Sequence, residues 1–230
     1  MLRSPYLFTL ILLPLWTLAA DAPSRPERSS RGSSAVQGAP PPVIVVPERP
    51  IVGIDSARTR GSPTAALAIV EFADYQCPYC RSFHVGTLPK LEAAYVKTGK
   101  VRYIYKDFPL PNHAQAFGAA VAAYCAGAQG RYWEMQDSLY AEQARLGRAL
   151  YTELAAALKL NGERFHACLG SDTARRAVTR DLNEGRRLGV RATPTFFLGR
   201  IEQDRVVIER SATGAPEFEG FAREIEALAR

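Results

Sequence analysis

The chain has 230 residues, 47% hydrophobic and 23% charged, with a formal net charge of +6 and four cysteines. That length suits one ordinary domain, alone or with an insertion, and the near-average composition excludes wholesale disorder, collagen-like repeats and a bundle of membrane spans. Four cysteines are too few for a disulfide-dense mini-scaffold, although the even number invites pairing in a secreted chain.

Residues 1–20 read as an export signal, with Arg3 as the single charge, an apolar run over 6–18, and Ala19 and Ala20 closing it. The run is shorter than the roughly 20 apolar residues of a spanning helix, and Pro14 interrupts it, so a secretory signal fits better than an uncleaved anchor. Residues 21–50 turn to Pro, Ser, Arg and Gly without apolar periodicity. They predict an extended linker that cannot bury enough surface to offset its ordering entropy. Arg25, Arg28, Arg31 and Arg49 place part of the positive charge there. The other basic residues are scattered among acidic ones with no aromatic-interleaved stripe, so nucleic acid is not an expected partner. Residues 51–230 are the expected folded domain.

Within it, LAIVEF at 67–72 reads as a buried strand. A turn at 73–76 leads into Cys77-Pro78-Tyr79-Cys80, and a helical pattern continues to about residue 97, with Pro78 in the first turn, where proline is tolerated. Val101, Tyr103 and Tyr105 alternate along a second strand over 100–108. An alanine-rich helical block fills about 113–188, in pieces at 114–129, 131–143, 148–160, 163–169 and 172–188, the last capped by Ser171. Strands follow at 195–198 and 205–208, separated by Gly199-Arg200 and a polar stretch. An amphipathic helix at 216–229 carries Phe218, Phe221, Ile225 and Leu228 on one side. The order is a βαβ unit, a helical block, then a hairpin covered by a helix, which is an α/β chain.

Cys77 and Cys80 carry the chemistry. Two cysteines separated by two residues at a helix N-terminus can close a small disulfide, with the first sulfur facing out and the second pointing inward. Unpaired N–H groups and the positive end of the helix dipole favour a thiolate at Cys77. A zinc knuckle would need a second ligand pair, which Cys125 and Cys168 do not form. A purely structural disulfide is the other alternative. Glu71, six residues before Cys77, could lie beneath the site and exchange a proton with Cys80, or be a strand-end carboxylate paired with a lysine. Asp74 reads as an exposed turn residue. His84 reads as a half-exposed helix histidine that could tune the site, and His113 and His166 have no partners that suggest a ligand set. Thr193-Pro194 precedes a strand, where proline is ordinarily a plain start residue.

EFADYQCPYCRSF at 71–83, followed far downstream by LGVRATPTFF at 188–197, resembles the DsbA-like thiol–disulfide oxidoreductases of the thioredoxin superfamily, and more narrowly the branch typified by Gram-positive DsbA-like oxidases. AAVAAYCAGAQGRYWEMQDSLY and FHACLGS resemble the same branch, so the likeness covers about residues 50–230. It implies a thioredoxin fold, a central mixed sheet with a helical subdomain inserted at about 113–188. It implies that Cys77 is the nucleophile, Cys80 the resolving cysteine and Glu71 the buried acid. Pro194 would be a cis-proline facing the disulfide, and the backbone at Thr193 would hold an extended substrate beside Pro78 and Tyr79. The strongest oxidases carry histidine where this chain has Tyr79, which implies a weaker oxidant. Cys125 and Cys168 fall in segments that carry a second cysteine pair in some relatives. A structural disulfide between insertion helices is expected in an oxidising compartment, with two free thiols as the alternative. The resemblance further implies a periplasmic or otherwise extracytoplasmic oxidase with no cofactor beyond its own redox-active disulfide. Its substrates would be thiol-bearing folding proteins, and a quinone-linked membrane oxidase would reoxidise it. A reductase or isomerase of the same fold, or a non-catalytic peptide-binding module, are the competing readings.

Overall fold

The computed structural model describes residues 50–230. The expected export signal and all but the last residue of the expected 21–50 linker lie outside the described residues.

The centre is a six-stranded mixed sheet. Its strands are β1 (Ile51–Gly53), β2 (Thr59–Arg60), β3 (Leu67–Ala73), β4 (Val101–Asp107), β5 (Thr195–Glu202) and β6 (Arg205–Thr213), in the spatial order β1-β6-β5-β3-β4-β2. β3 and β4 run parallel, while β5 is antiparallel to both β3 and β6. All seven residues of β3 are buried, as befits a central strand covered on both faces. Side chains on a strand alternate between faces, and β3 does so here. Leu67, Ile69 and Ala73 join one core with Tyr103, Tyr105 and Phe196. Ala68, Val70 and Phe72 join a second with Ile104, Phe108, Phe197 and Val206. Parity therefore places Glu71 on the first face.

That face is covered by α1 (Pro78–Ser82), α2 (Leu88–Leu91) and the C-terminal α8 (Phe218–Leu228). The expected single helix to residue 97 is broken into short α segments by two widened π-type turns, at Phe83–Thr87 and Glu92–Val96. Pro89, which has no N–H to give the ladder, follows the first. Phe83 and His84 are both buried in that turn.

Between β4 and β5 lie α3 (Ala116–Gly127), α4 (Tyr132–Ala141), α5 (Arg148–Ala157), α6 (Gly162–Leu169) and α7 (Asp172–Arg187). Ser171 caps α7, its hydroxyl accepting from the Ala174 N–H. Cys125 of α3 and Cys168 of α6 form a disulfide with Cα atoms 5.6 Å apart. α7 crosses the second face at Gly185, where a Cβ would lie 2.6 Å from the Phe108 ring. The edge of the sheet is tied down by the buried Arg58 guanidinium, paired with Asp55, Asp107 and Asp181, while Lys106 pairs with Glu184 at 3.0 Å.

The hairpin differs from expectation. β5 and β6 are longer than predicted, and the turn is Gln203-Asp204, both at positive φ, the geometry of a two-residue hairpin loop. Gly199, expected in the connection, sits inside β5 at a register irregularity. A side chain there would run into the Val207 carbonyl, so this glycine marks a close backbone approach rather than a turn. The short edge strands β1 and β2 were not expected.

Candidate active site

Cys77 is the N-cap of α1, with extended backbone angles, and Pro78 follows it in the first turn. The turn before it is pinned by Asp74. Expected to be exposed, Asp74 is instead buried. Its carboxylate accepts from the N–H groups of Gln76 and Leu110, each at 2.7 Å, and faces His113 Nδ1 at 2.9 Å. A short carboxylate in a turn is commonly used to satisfy nearby backbone N–H groups, and here it also anchors the chain after β4. Gln143, just beyond α4, donates from Nε2 to the carbonyls of Tyr75 and Cys77 at 2.8 and 3.0 Å. Neither role had a local sequence signal.

The two thiols are free and buried, but unequally set. Cys77 Sγ lies 3.2 Å from the Thr193 carbonyl, to which its thiol donates. Its pKa falls to about 5, first because the Cys80 thiol donates to the Cys77 sulfur. Partial burial opposes this, while the Thr193 side chain and the N–H groups of Cys80 and Tyr79 add to it. The Thr193 hydroxyl is buried without a hydrogen-bond partner among the described residues. Cys80 goes the other way: burial pushes its thiol well above the ordinary range, and the hydrogen bond to Cys77 and the charge of Glu71 push further. The peptide bond Thr193-Pro194 is cis. Pro78 and Tyr79 are exposed beside the pair, Tyr79 at 65%.

Glu71 is fully buried on the same face as α1. No lysine meets it. Its Oε2 accepts from the Tyr103 hydroxyl and lies 3.2 Å from His84 Nε2, while Oε1 has no partner among the described residues. His84 is therefore not half-exposed: its side chain is 4% exposed and its ring stacks on Tyr140 with centroids 4.1 Å apart. The structure thus gathers Cys77, Cys80, Pro78, Tyr79, Thr193, Pro194 and Glu71 in one place, and holds Cys125 and Cys168 apart from it. Tyr103 and Tyr140 join the site without having been expected there. Tyr103 could have been found from strand alternation, which puts it on the face that carries Glu71.

A thioredoxin-type sheet that presents a reactive dithiol at a helix N-terminus, against a cis-proline, defines the thiol–disulfide oxidoreductases. The chain belongs to the thioredoxin family, whose family model matches residues 55–212, and its fold is that of the DsbA-like proteins. Among solved structures it is similar to alpha-DsbA1 of Wolbachia pipientis, with a TM-score of 0.66 and 26% identity over 74% of this chain and 89% of that one. BdbD of Bacillus subtilis shares the fold, with a TM-score of 0.64 and 20% identity over 74% of this chain and 91% of that one. Among curated proteins it is 34% identical over 172 residues, or 74% of its length, to the Na(+)/H(+) antiporter NhaA 3 of Salinispora tropica. It is 36% identical over 139 residues, or 60% of its length, to the Na(+)/H(+) antiporter NhaA of Herminiimonas arsenicoxydans. The matched region is only 25% and 22% of those two proteins. Among the described residues no helix is long and apolar enough to cross a membrane.

Proposed function

We propose that the chain is an exported oxidase that introduces disulfides into secreted or periplasmic proteins. Its Cys77–Cys80 disulfide is attacked at Cys77 by a substrate thiolate. Cys80 leaves, and a second substrate thiol resolves the mixed disulfide. Pro78, Tyr79, Thr193 and Pro194 form the surface on which an extended substrate lies, and Glu71 exchanges a proton with Cys80. The observation that carries the direction is the contrast between the two thiols. A Cys77 pKa near 5 means that the site favours the thiolate, which stabilises the dithiol form and makes the disulfide the more oxidising partner. Export is supported by residues 1–20 and by the Cys125–Cys168 disulfide, a kind of bond that persists in oxidising compartments. A quinone-linked membrane oxidase fits as the reoxidant.

The test is the reduction potential of the pair, measured by equilibration with glutathione. An oxidase is expected to fall between about −200 and −120 mV, above thioredoxin at about −270 mV. A value at or below the thioredoxin level would assign the chain to the reductases instead.

A further inference from the structure

Glu71 is sealed from water, yet any proton it takes from Cys80 must leave the protein, and any proton it gives must be replaced. One oxygen of the carboxylate, Oε1, is unpartnered among the described residues, and the Glu71 charge acts on Cys80. The other, Oε2, meets Tyr103 and His84. Tyr103 is no route for protons at neutral pH, because burial and then the Glu71 charge hold its hydroxyl far above its usual range. His84 has the geometry for one. Its Nε2 is 3.2 Å from Oε2, and stacking on Tyr140 fixes the ring. The same residue also forms part of the wall of a cavity of about 280 Å³. Val85 and Asp137, both largely exposed, line the same cavity and bring it to the surface.

We propose that His84 passes protons between the buried Glu71 carboxyl and water in this cavity, so that Cys80 is protonated or deprotonated in each redox cycle. Imidazole suits the task because it ordinarily gains and loses a proton between about pH 5 and 8 and has two nitrogens that can carry it. The charged and titratable groups around it are few. Glu71 faces it from β3, Tyr103 and Tyr105 from β4, Tyr140 and Asp137 from α4, and Glu92 and Arg60 from the cavity wall. Arg60 is held by Glu92 and by Asp137, the latter at 3.3 Å, so its charge is largely matched.

A substrate thiolate attacks Cys77 Sγ and the Cys77–Cys80 bond breaks. Cys80 departs with the electron pair and takes a proton from Glu71. His84 Nε2 returns a proton to Glu71, and the imidazole is recharged from cavity water. In the reverse sense, Cys80 gives its proton to Glu71 and attacks Cys77 Sγ, displacing the group bonded there. The inference rests on Glu71 as the proton partner of Cys80 and holds for either net direction of exchange.

The experiment starts from protein carrying a glutathione mixed disulfide on Cys77 and follows glutathione release by Cys80 as a function of pH. His84→Ala is expected to slow release about tenfold or more, within the range for assisted proton transfer. The pH midpoint of Cys77 alkylation is expected to stay near 5. Added imidazole should restore the rate in a saturable way, with a pH profile that follows imidazole itself, which a purely structural role would not produce. His84→Gln, which keeps a donor toward Glu71 but cannot relay a proton, should be equally slow and guards against misfolding of the alanine variant. Wild-type rates in His84→Gln, or slow His84→Ala protein that imidazole does not rescue, would overturn the relay. Glu71→Gln separates the two layers. If it slows release while the histidine variants do not, Glu71 stands and the relay falls. If it does not slow release, the proton role of Glu71 falls as well.

Discussion

Tyr79 occupies the position between the cysteines at which a side chain can most directly alter the Cys77 thiolate. It is 65% exposed, and no hydrogen bond joins its hydroxyl to Cys77 among the described residues, so the low Cys77 pKa comes from Cys80, Thr193 and the helix N–H groups instead. An imidazolium at this position would add positive charge beside the thiolate and stabilise the dithiol form further. Tyr79→His is therefore expected to move the Cys77 alkylation midpoint below about 5 and to raise the reduction potential by on the order of 30 mV, one tenfold step in the exchange constant. An unchanged potential in glutathione equilibration would mean that the 79 side chain does not govern the thiolate. At this scale the sequence is readable where chemistry is local. The Cys77–Cys80 spacing and the proline at 78 announce a helix-terminal dithiol, and strand alternation brings Glu71 to the right face. Asp74 and His84 were misread for one reason. The burial of a polar side chain depends on partners far along the chain, here Leu110 and His113 for one, and Tyr103 and Tyr140 for the other.

The elements tell the same story with different boundaries. Apolar periodicity places the βαβ unit, the five insertion helices and the last helix within a few residues. It does not see β1 and β2, because strands of three and two residues are defined by their pairing with β6 and β4 rather than by any pattern of their own. Nor does it see the π-type turns, since Phe83 and His84 look like adjacent positions on an ordinary helix. The insertion depends on a tie that is equally invisible in periodicity: Cys125 in α3 and Cys168 in α6, 43 positions apart. Closing a loop of that length removes unfolded-state entropy worth about 4 kcal/mol in the chain-entropy argument. Cys125→Ala with Cys168→Ala is expected to lower unfolding stability by up to about that amount. The Cys77 alkylation midpoint should stay where it is, because neither residue touches the site. Urea unfolding of the double variant beside the parent checks this. A loss below about 0.5 kcal/mol would mean that the five helices are held by packing alone.

For the whole molecule, the redox state of one small site is linked to the stability of the entire fold. In the native dithiol form Cys77 titrates near 5, against 9.0 for an ordinary cysteine, and the unfolded chain is expected to titrate near the latter. A group whose folded pKa is depressed adds stability that is complete above its unfolded pKa and disappears as the pH falls through its folded pKa. The Cys77 contribution therefore grows as the pH rises from about 5 toward 9. Cys80, pushed upward by burial, has the opposite sign, but its contribution is lost only as the pH rises above the ordinary cysteine range. Across the window from 5 to 9 Cys77 decides. The disulfide form has neither thiol to titrate, while the carboxylates and histidines elsewhere are common to both forms and largely cancel in the difference. The melting temperature of the dithiol form minus that of the disulfide form is therefore expected to increase steadily with pH over this window and to level off below it. Cys77→Ser cannot form the disulfide, and its melting temperature taken against that of the oxidised parent should lose this rise, because a serine hydroxyl does not ionise there. Paired thermal melts of reduced and oxidised protein at several pH values measure the difference directly. A flat profile would mean that the fold does not stabilise the Cys77 thiolate, and the proposed oxidising direction would lose its physical basis.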